Sequence, residues 1–439
     1  MSNPDPSRSG IAIMAVRIVG AGLALLAQVV ASRIVGAEEF GRYSLMLVWL
    51  LLLGHGGTVG SNPLLCRYVA QYLKAGDFPA IAGLLRFALA VVVAVGALLG
   101  ALAMALVHSG FLALDPQLVL VGTLAFSAVP LLALQDFLES IARGLDRPTL
   151  GIGPAYLVRH LAIVFGVGGL FLFGLHTDAV AVMSATIIGL LVSLLLQYGL
   201  LQRHLAPILK GRTPVYHVAE WVRTALPMAL GDAAEVLFMN ADILILGMFV
   251  GPEQVAYYFA ATRLAQILAY VPYGMSAATA QRMAVLTGKD EREQLGQLIA
   301  RVTLVSGGLA TLGALSMTIL AGPLLSMFGA DYAGGAGLVL MLCGGIAMAC
   351  LLGPGEDVLN MLGQERLASL SIALALAVNI GLNFTLIPQL GPMGAAIASA
   401  AALTVRGVVM ALFAYGRLGL FLPFGAGLFA NRGMRRHAR

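Results

Sequence analysis

Gly36-Ala-Glu38-Glu39-Phe-Gly-Arg42-Tyr43 lies between two long apolar runs near the N-terminus, and its pattern returns later as Gly251-Pro-Glu253-Gln-Val-Ala-Tyr257-Tyr258. Glycine, glutamate and tyrosine keep their places in both copies. Two further echoes follow in the same order. Pro63 with Ala70-Gln71 is matched by Pro272 with Ala280-Gln281, and Gly144-Leu-Asp146-Arg147 by Gly363-Gln-Glu365-Arg366. Matches in one order, at nearly one offset, divide the 439 residues into two equivalent halves.

The material of those halves is apolar. Hydrophobic residues make up 59% of the chain and charged residues 11%, whereas about a quarter of an ordinary soluble domain is charged. The mean hydropathy is +0.92. A hydrocarbon layer about 30 Å thick takes roughly 20 apolar residues per helix. Read at that length, the sequence places spans near 10-36, 41-73, 79-107, 116-142, 148-174 and 177-202, then 222-250, 254-284, 295-320, 335-361, 367-388 and 392-416. The expected fold is all-α: a polytopic membrane protein of about twelve transmembrane helices in two six-helix lobes around a central cavity. The lobes are expected at 1-202 and 218-418, with a connector at 203-217 and an interfacial segment and basic tail at 419-439. An even number of crossings per repeat makes the lobes parallel, related by an axis along the membrane normal.

Charge sets the orientation. Lys74, Arg143 and Arg147, Lys210 and Arg212, Lys289 and Arg292, and Arg366 occupy alternate gaps, while the intervening gaps hold essentially Arg42. The positive-inside rule then puts both termini and the connector in the cytoplasm. The tail Arg432-Gly-Met-Arg435-Arg436-His-Ala-Arg439 fits that side as an anchor on anionic lipid, and the basic pI of 9.2 reflects orientation rather than nucleic acid. Met1 to Gly10 is polar and leads into a full span with no small-residue cleavage site, so no cleaved signal peptide is expected. Cys66, Cys343 and Cys350 lie in apolar segments without metal-ligand spacing. No metal or cofactor is called for, and short loops without a phosphate-binding glycine loop or paired-histidine motif argue against an enzyme.

Carrying these features, the chain resembles the polysaccharide flippases of Wzx type, in the superfamily that also holds multidrug and toxin extruders and peptidoglycan-precursor flippases. The resemblance rests on Arg17-Ile-Val-Gly20, on Arg33 through Tyr43, on the span from Pro227-Met to Asp242-Ile-Leu-Ile-Leu-Gly247, and on Tyr257-Tyr-Phe-Ala-Ala-Thr-Arg263. It implies two six-helix bundles set as a V around a cavity. It also implies export, across the bacterial inner membrane, of an oligosaccharide carried on a polyprenyl diphosphate, beside a polysaccharide polymerase and glycosyltransferases. The readings that compete are a cation-coupled multidrug antiporter of the same superfamily and a lipid scramblase or assembly scaffold.

The side chains bear on that choice. Arg17, Arg33, Arg159, Arg263 and Arg406 fall within spans. Facing lipid, five arginines would cost on the order of 15 kcal/mol, so each needs a wet cavity or a partner. A cationic lining suits diphosphate or acidic sugars, because the planar guanidinium bonds two oxygens at once and stays charged. Arg33, near a helix end, and Arg406, near the inner end, also read as structural. Asp232, Glu235 and Asp242 fall within about 80° of one another on the seventh span, which makes them one polar stripe and candidates for coupling to protons or sodium. The repeat aligns Arg17 with Asp232, which suggests an ion pair. Asp136, Glu139 and Arg143 read as structural. Gly353-Pro-Gly355 reads as a bend or a gate, and Gly54-His-Gly-Gly57 with Gly60 as a break in the second span.

Overall fold

The computed structural model describes residues 6–111, 114–286 and 291–424, and the regular structure among them is helical. Lys289 and the tail from Arg432 to Arg439 lie outside the described residues. In chain order the helices are α1 (Pro6–Gly56), α2 (Ser61–Ala75), α3 (Phe78–His108), α4 (Pro116–Ser127), α5 (Val129–Gly144), α6 (Pro148–Leu172) and α7 (Ala179–Leu209). There follow α8 (Val218–Phe249), α9 (Pro252–Val285), α10 (Arg292–Ser326), α11 (Ala336–Leu351), α12 (Gly355–Met361), α13 (Glu365–Leu390) and α14 (Pro392–Phe413).

Sequence chemistry marks where these helices begin. Asp77, Asp115 and Asp178 cap α3, α4 and α7 by accepting the backbone N–H groups of Ala80, Gln117 and Ala181 at 3.1, 3.4 and 2.9 Å. Those donors have no partner inside the helix. Proline, which has no N–H to lose, stands in the first turn of α3, α4, α5, α6, α9 and α14. Inside α1, Gly36 adopts φ 82°, ψ 171°, a conformation that a side chain makes costly. It separates the first two crossings, as the gap at 36–41 predicts.

Nine helical stretches among the described residues are long and apolar enough to cross a bilayer. The first of them contains both crossings of α1. The two spans missing from that group, α8 and α9, carry Glu220, Asp232, Glu235 and Asp242, and Glu253, Arg263 and Arg282, so polarity rather than length sets them apart. The chain is a polytopic all-helical membrane protein of about twelve crossings.

Two compact units form, Met1–Val236 and Leu237–Arg439. The boundary falls inside α8, so the connector and the first half of that helix belong to the first unit. Trp221, fully buried, joins Leu64, Tyr68, Leu84, Phe137 and Leu201 in the core of that unit. Equivalent bonds recur in the two units. Tyr43 is hydrogen-bonded to Thr186, 143 residues on, and Tyr258 to Ser399, 141 residues on. His55 is bonded to Asp136 and Ser276 to Asp357, in both cases 81 residues apart. Where Arg42 grips Glu38, Glu39 and Asp115, the second unit places Tyr257 edge-on against Tyr332 at 4.9 Å. The sequence repeat is thus a repeat of contacts.

Close helix packing relies on small residues, since lipid is as apolar as any side chain and supplies no hydrophobic drive. Gly96 and Gly100 meet the backbone of Pro130 and Phe126, where an added Cβ would stand 3.2 and 2.5 Å away. Gly251, four residues after Gly247 as Gly100 is after Gly96, faces open space. In α11, a Cβ on Gly345 would come within 2.6 Å of the Cα of Ala400, whereas its neighbour Gly344 has nothing within 4 Å. Gly345→Val is therefore expected to lower the melting temperature of the purified protein, at a cost of about 1–3 kcal/mol, and Gly344→Val to leave it near that of the parent. Equal shifts for the two would contradict the packing described.

Candidate functional site

The first unit holds an open polar cavity of about 220 Å³ lined by Leu51, His55, Asn62, Leu132, Gln135, Asp136, Glu139, Arg143, Ala155, Tyr156 and Arg159. Its walls come from helices with a reason to expose backbone or polar groups. His55 stands at the end of α1, beside the turn Gly57–Gly60 that breaks the second crossing. α5 supplies Gln135, Asp136, Glu139 and Arg143 from one face, at spacings of three and four residues. α6 supplies Tyr156 and Arg159.

Most of this lining is bonded to itself. His55 Nδ1 is hydrogen-bonded to the Asp136 carboxylate. Ser140 donates to Asn62 Oδ1 at 3.0 Å, and Arg143 donates to Ser140 Oγ at 3.3 Å while Glu139 lies 3.8 Å away. Gln135 donates to Ser193 at 2.5 Å. Glu139 also lies within electrostatic reach of Arg17. Arg159, half-buried, makes no hydrogen bond or ion pair among the described residues. An uncompensated cation at membrane depth costs about 2.5–3.5 kcal/mol against lipid, and Arg159 avoids that cost as part of the wall of a polar cavity. That makes Arg159 a guanidinium with open bonding capacity.

The second unit holds a different polar node. Asp242, 7% exposed, accepts from Tyr258 Oη at 2.5 Å, from Ser399 Oγ at 2.9 Å and from the backbone N–H of Ile243 at 2.8 Å. Asn379 donates to Ser399 at 3.4 Å, and Asn383 donates to Asn379 Oδ1 at 2.9 Å. A carboxylate removed from water is stable only when its oxygens are satisfied in this way. Elsewhere in the same unit, Glu356 pairs with Arg406, whose guanidinium also lies 5.5 Å from the Phe238 ring.

The five arginines divide accordingly. Arg17, Arg33 and Arg159 belong to the first unit, with Arg33 exposed close to the Gly36 break. Arg263 and Arg406 belong to the second, and Arg263 donates to Gln266 at 2.9 Å with its head 4.2 Å from the Phe259 ring. Of the acidic stripe, Asp232 is exposed and Glu235 half-buried in the first unit, and Asp242 is buried in the second. The stripe on α8 is therefore divided between the units. Arg143 and His55 are charged groups within electrostatic reach of Asp232. Asp136, Glu139 and Arg143, read from sequence as structural, are bonded to neighbouring side chains and also line the cavity. His55 went unnoticed inside a glycine-rich break. The repeat read from sequence does not find it, because its shifts of 215, 209 and 219 residues fall short of the 221 that carries His55 onto Ser276 and Asp136 onto Asp357, a bonded pair in each unit. The three cysteines are free, and no group of metal-binding side chains occurs among the described residues.

Residues 7–280 match the family described as polysaccharide biosynthesis protein, and residues 227–416 match MatE. Two curated relatives come from Haloferax volcanii. The probable flippase AglR is 24% identical over 231 residues, 52% of this chain and 47% of that protein, so the chain spans about half its length. The probable low-salt glycan biosynthesis flippase Agl15 is 21% identical over 413 residues, 93% of this chain and 83% of that one. Among solved structures, an inward-facing multidrug resistance MATE family transporter of the MOP superfamily aligns with a TM-score of 0.75 at 15% identity, covering 91% of this chain and 94% of that one. The lipid II flippase MurJ, in an inward closed conformation, aligns at 0.71 and 12% identity, covering 96% and 90%. At these identities the structural likeness is one of fold.

Exchanging the charges of Glu356 and Arg406 tests whether their contact is energetic. Each single reversal is expected to lower the melting temperature, and the double reversal to recover most of the loss, with a coupling on the order of 1 kcal/mol. Additive losses, with no recovery in the double reversal, would contradict that pairing.

Proposed function

This chain belongs to the polysaccharide biosynthesis protein family, and we propose that it carries a polyprenyl-diphosphate-linked oligosaccharide across the bacterial inner membrane by alternating access. The cargo would be the repeat unit of an O-antigen, exopolysaccharide or capsule. The observation that carries this reading is Arg159, a guanidinium with no protein partner among the described residues, in a polar cavity within an otherwise apolar unit. Arginine offers a planar fork to phosphate or carboxylate oxygens, while His55, Asp136, Gln135, Asn62 and Arg143 are engaged with other side chains. At about 220 Å³ the space is smaller than the roughly 300–1,000 Å³ clefts that hold drug-sized ligands. It suits one anionic group or one sugar at a time, and the remaining glycan lies outside it. Arg17 and Arg143, both linked electrostatically to Glu139, are further cargo candidates in the first unit, and Arg263 is a separate one in the second. Arg33 and Arg406 serve structure more than cargo. The flippase names of the Haloferax relatives support the same cargo class.

The distribution of basic residues supports a protein with both termini and the connector in the cytoplasm. It acts as a transporter, not a catalyst, and hands its cargo from glycosyltransferases on one face to a polymerase on the other. Asp232, Glu235 and Asp242 remain the candidates for exchange of a proton or sodium ion. Asp242 is the strongest, because a buried carboxylate held by two hydroxyls can change its charge only with a change in its surroundings. The same residue favours a second reading, a cation-coupled multidrug antiporter, which the match of residues 227–416 to MatE also supports.

Deletion of the gene in its native host is expected to leave the lipid-linked oligosaccharide on the cytoplasmic face, scored with a tagged precursor. The intact gene should restore its appearance on the outer face. Arg159→Ala should restore it about 10- to 100-fold less well, the loss that corresponds to a charged hydrogen bond of about 1.5–3 kcal/mol. Normal flipping in the deletion strain, with new sensitivity to cationic drugs, would overturn this reading in favour of the antiporter.

A further inference from the structure

In both units the chain that leaves the last helix turns at a left-handed glycine, Gly211 at φ 72° and Gly419 at φ 65°, and runs back across its own unit. In the first unit, Val215 N–H donates to Pro79 O at 3.0 Å. Its carbonyl rests on α3 so closely that a Cβ on Gly83 would stand 1.8 Å from the oxygen. Arg212 lies 5.2 Å from the ring of Phe78. A few residues on, Trp221 is wholly buried, donates to Tyr72 Oη at 3.1 Å and packs on Phe87 at 5.7 Å. Tyr68 donates to Glu220 at 2.9 Å, and Gly60 leaves room for α8, where a Cβ would meet Ala225 O at 2.4 Å.

The second unit repeats the device. Leu422, fully buried, accepts from Thr303 Oγ1 at 2.9 Å, and its carbonyl would stand 2.6 Å from a Cβ on Gly353. Phe424 N–H donates to Leu351 O at 2.8 Å. The carbonyl freed where Gly353-Pro354-Gly355 interrupts the helix is thereby satisfied. Arg292 donates to Leu418 O at 3.0 Å. The sequence places this stretch at the membrane interface, yet Leu420 and Leu422 join the core with Met283, Ile299 and Val358, so the break is a socket for the strap.

We infer that each unit is closed by a strap formed from the chain leaving its last helix, and that the first strap, from Arg212 to Trp221, is the latch holding the N-terminal half of α8 on the first unit during transport. α8 is one helix shared by two units. A fixed first half lets any rearrangement of the second half act on a defined base. The glycine contacts explain the choice of residue, because a side chain at position 83 would lift the backbone of the strap.

Trp221 reports on the latch directly, since the chain has two tryptophans and Trp49→Phe leaves it alone. In that background, purified protein is expected to give blue-shifted emission poorly quenched by acrylamide. Gly83→Ala should shift the emission to the red and raise quenching several-fold, Tyr72→Phe should do so less, and Gly168→Ala, at a glycine with open space around it, should do neither. For the second strap, Leu422→Cys in a chain lacking its native cysteines should resist maleimide until Thr303→Val is added. Strong quenching of Trp221 in the parent, or equal quenching in the parent, Gly83→Ala and Tyr72→Phe, would overturn the latch whatever the cargo. Flipping should fall with release of Trp221. Full flipping by Gly83→Ala with Trp221 released would overturn the role in transport while leaving the strap itself.

Discussion

Hydrocarbon offers no hydrogen bonds, and each polar atom that this chain carries into the membrane must find its partner within the protein. The charged and amide side chains inside the spans show how that requirement is met. Asp242 is held by Tyr258, Ser399 and a backbone N–H, Asp136 by His55, and Arg406 by Glu356. Breaks in the helices obey the same rule, as at Leu351, whose carbonyl is taken up by Phe424. Against that background an arginine with spare capacity stands out. Arg159 lines a cavity, and polar groups around it are engaged with other side chains rather than with the guanidinium.

Duplication explains much of the architecture. The bonds Tyr43–Thr186 and Tyr258–Ser399 have the same place in two units of weakly related sequence, as do His55–Asp136 and Ser276–Asp357. What differs is the chemistry mounted on that frame. The first unit pairs its carboxylate with a histidine and opens a cavity beside it. The second pairs the equivalent carboxylate with a serine and buries Asp242 elsewhere. The halves therefore differ in their polar chemistry, with a cavity beside the carboxylate in one and a buried acid in the other.

The spans and the repeat were legible because hydropathy and loop charge are strong, local signals: even the break at Gly36 shows as a gap between apolar runs. Side-chain partners were less so. Helical spacing correctly put Asp232, Glu235 and Asp242 on one helix, but a boundary between units inside that helix cannot be seen in periodicity, and it separates them. Asp136, Glu139 and Arg143 look like an ordinary helix-surface cluster, since the cavity that they line is made with α1 and α6, far away in sequence. Leu420 and Leu422 look interfacial because their segment is short and interrupted by Pro423. Their burial depends on a socket opened at Gly353 and Gly355, which no local pattern announces.

The central claim is that this protein moves a lipid-linked, anionic glycan head through a polar path that includes Arg159. Its most direct test is reconstitution of the purified protein into vesicles with a fluorescent polyprenyl-diphosphate-linked sugar, following the fraction that an impermeant reagent can reach from outside. The account requires that fraction to rise from the outer-leaflet value toward completeness with wild-type protein, and to rise far more slowly with Arg159→Ala at equal incorporation. Identical kinetics for the two proteins, or no movement beyond that in protein-free vesicles, would contradict it.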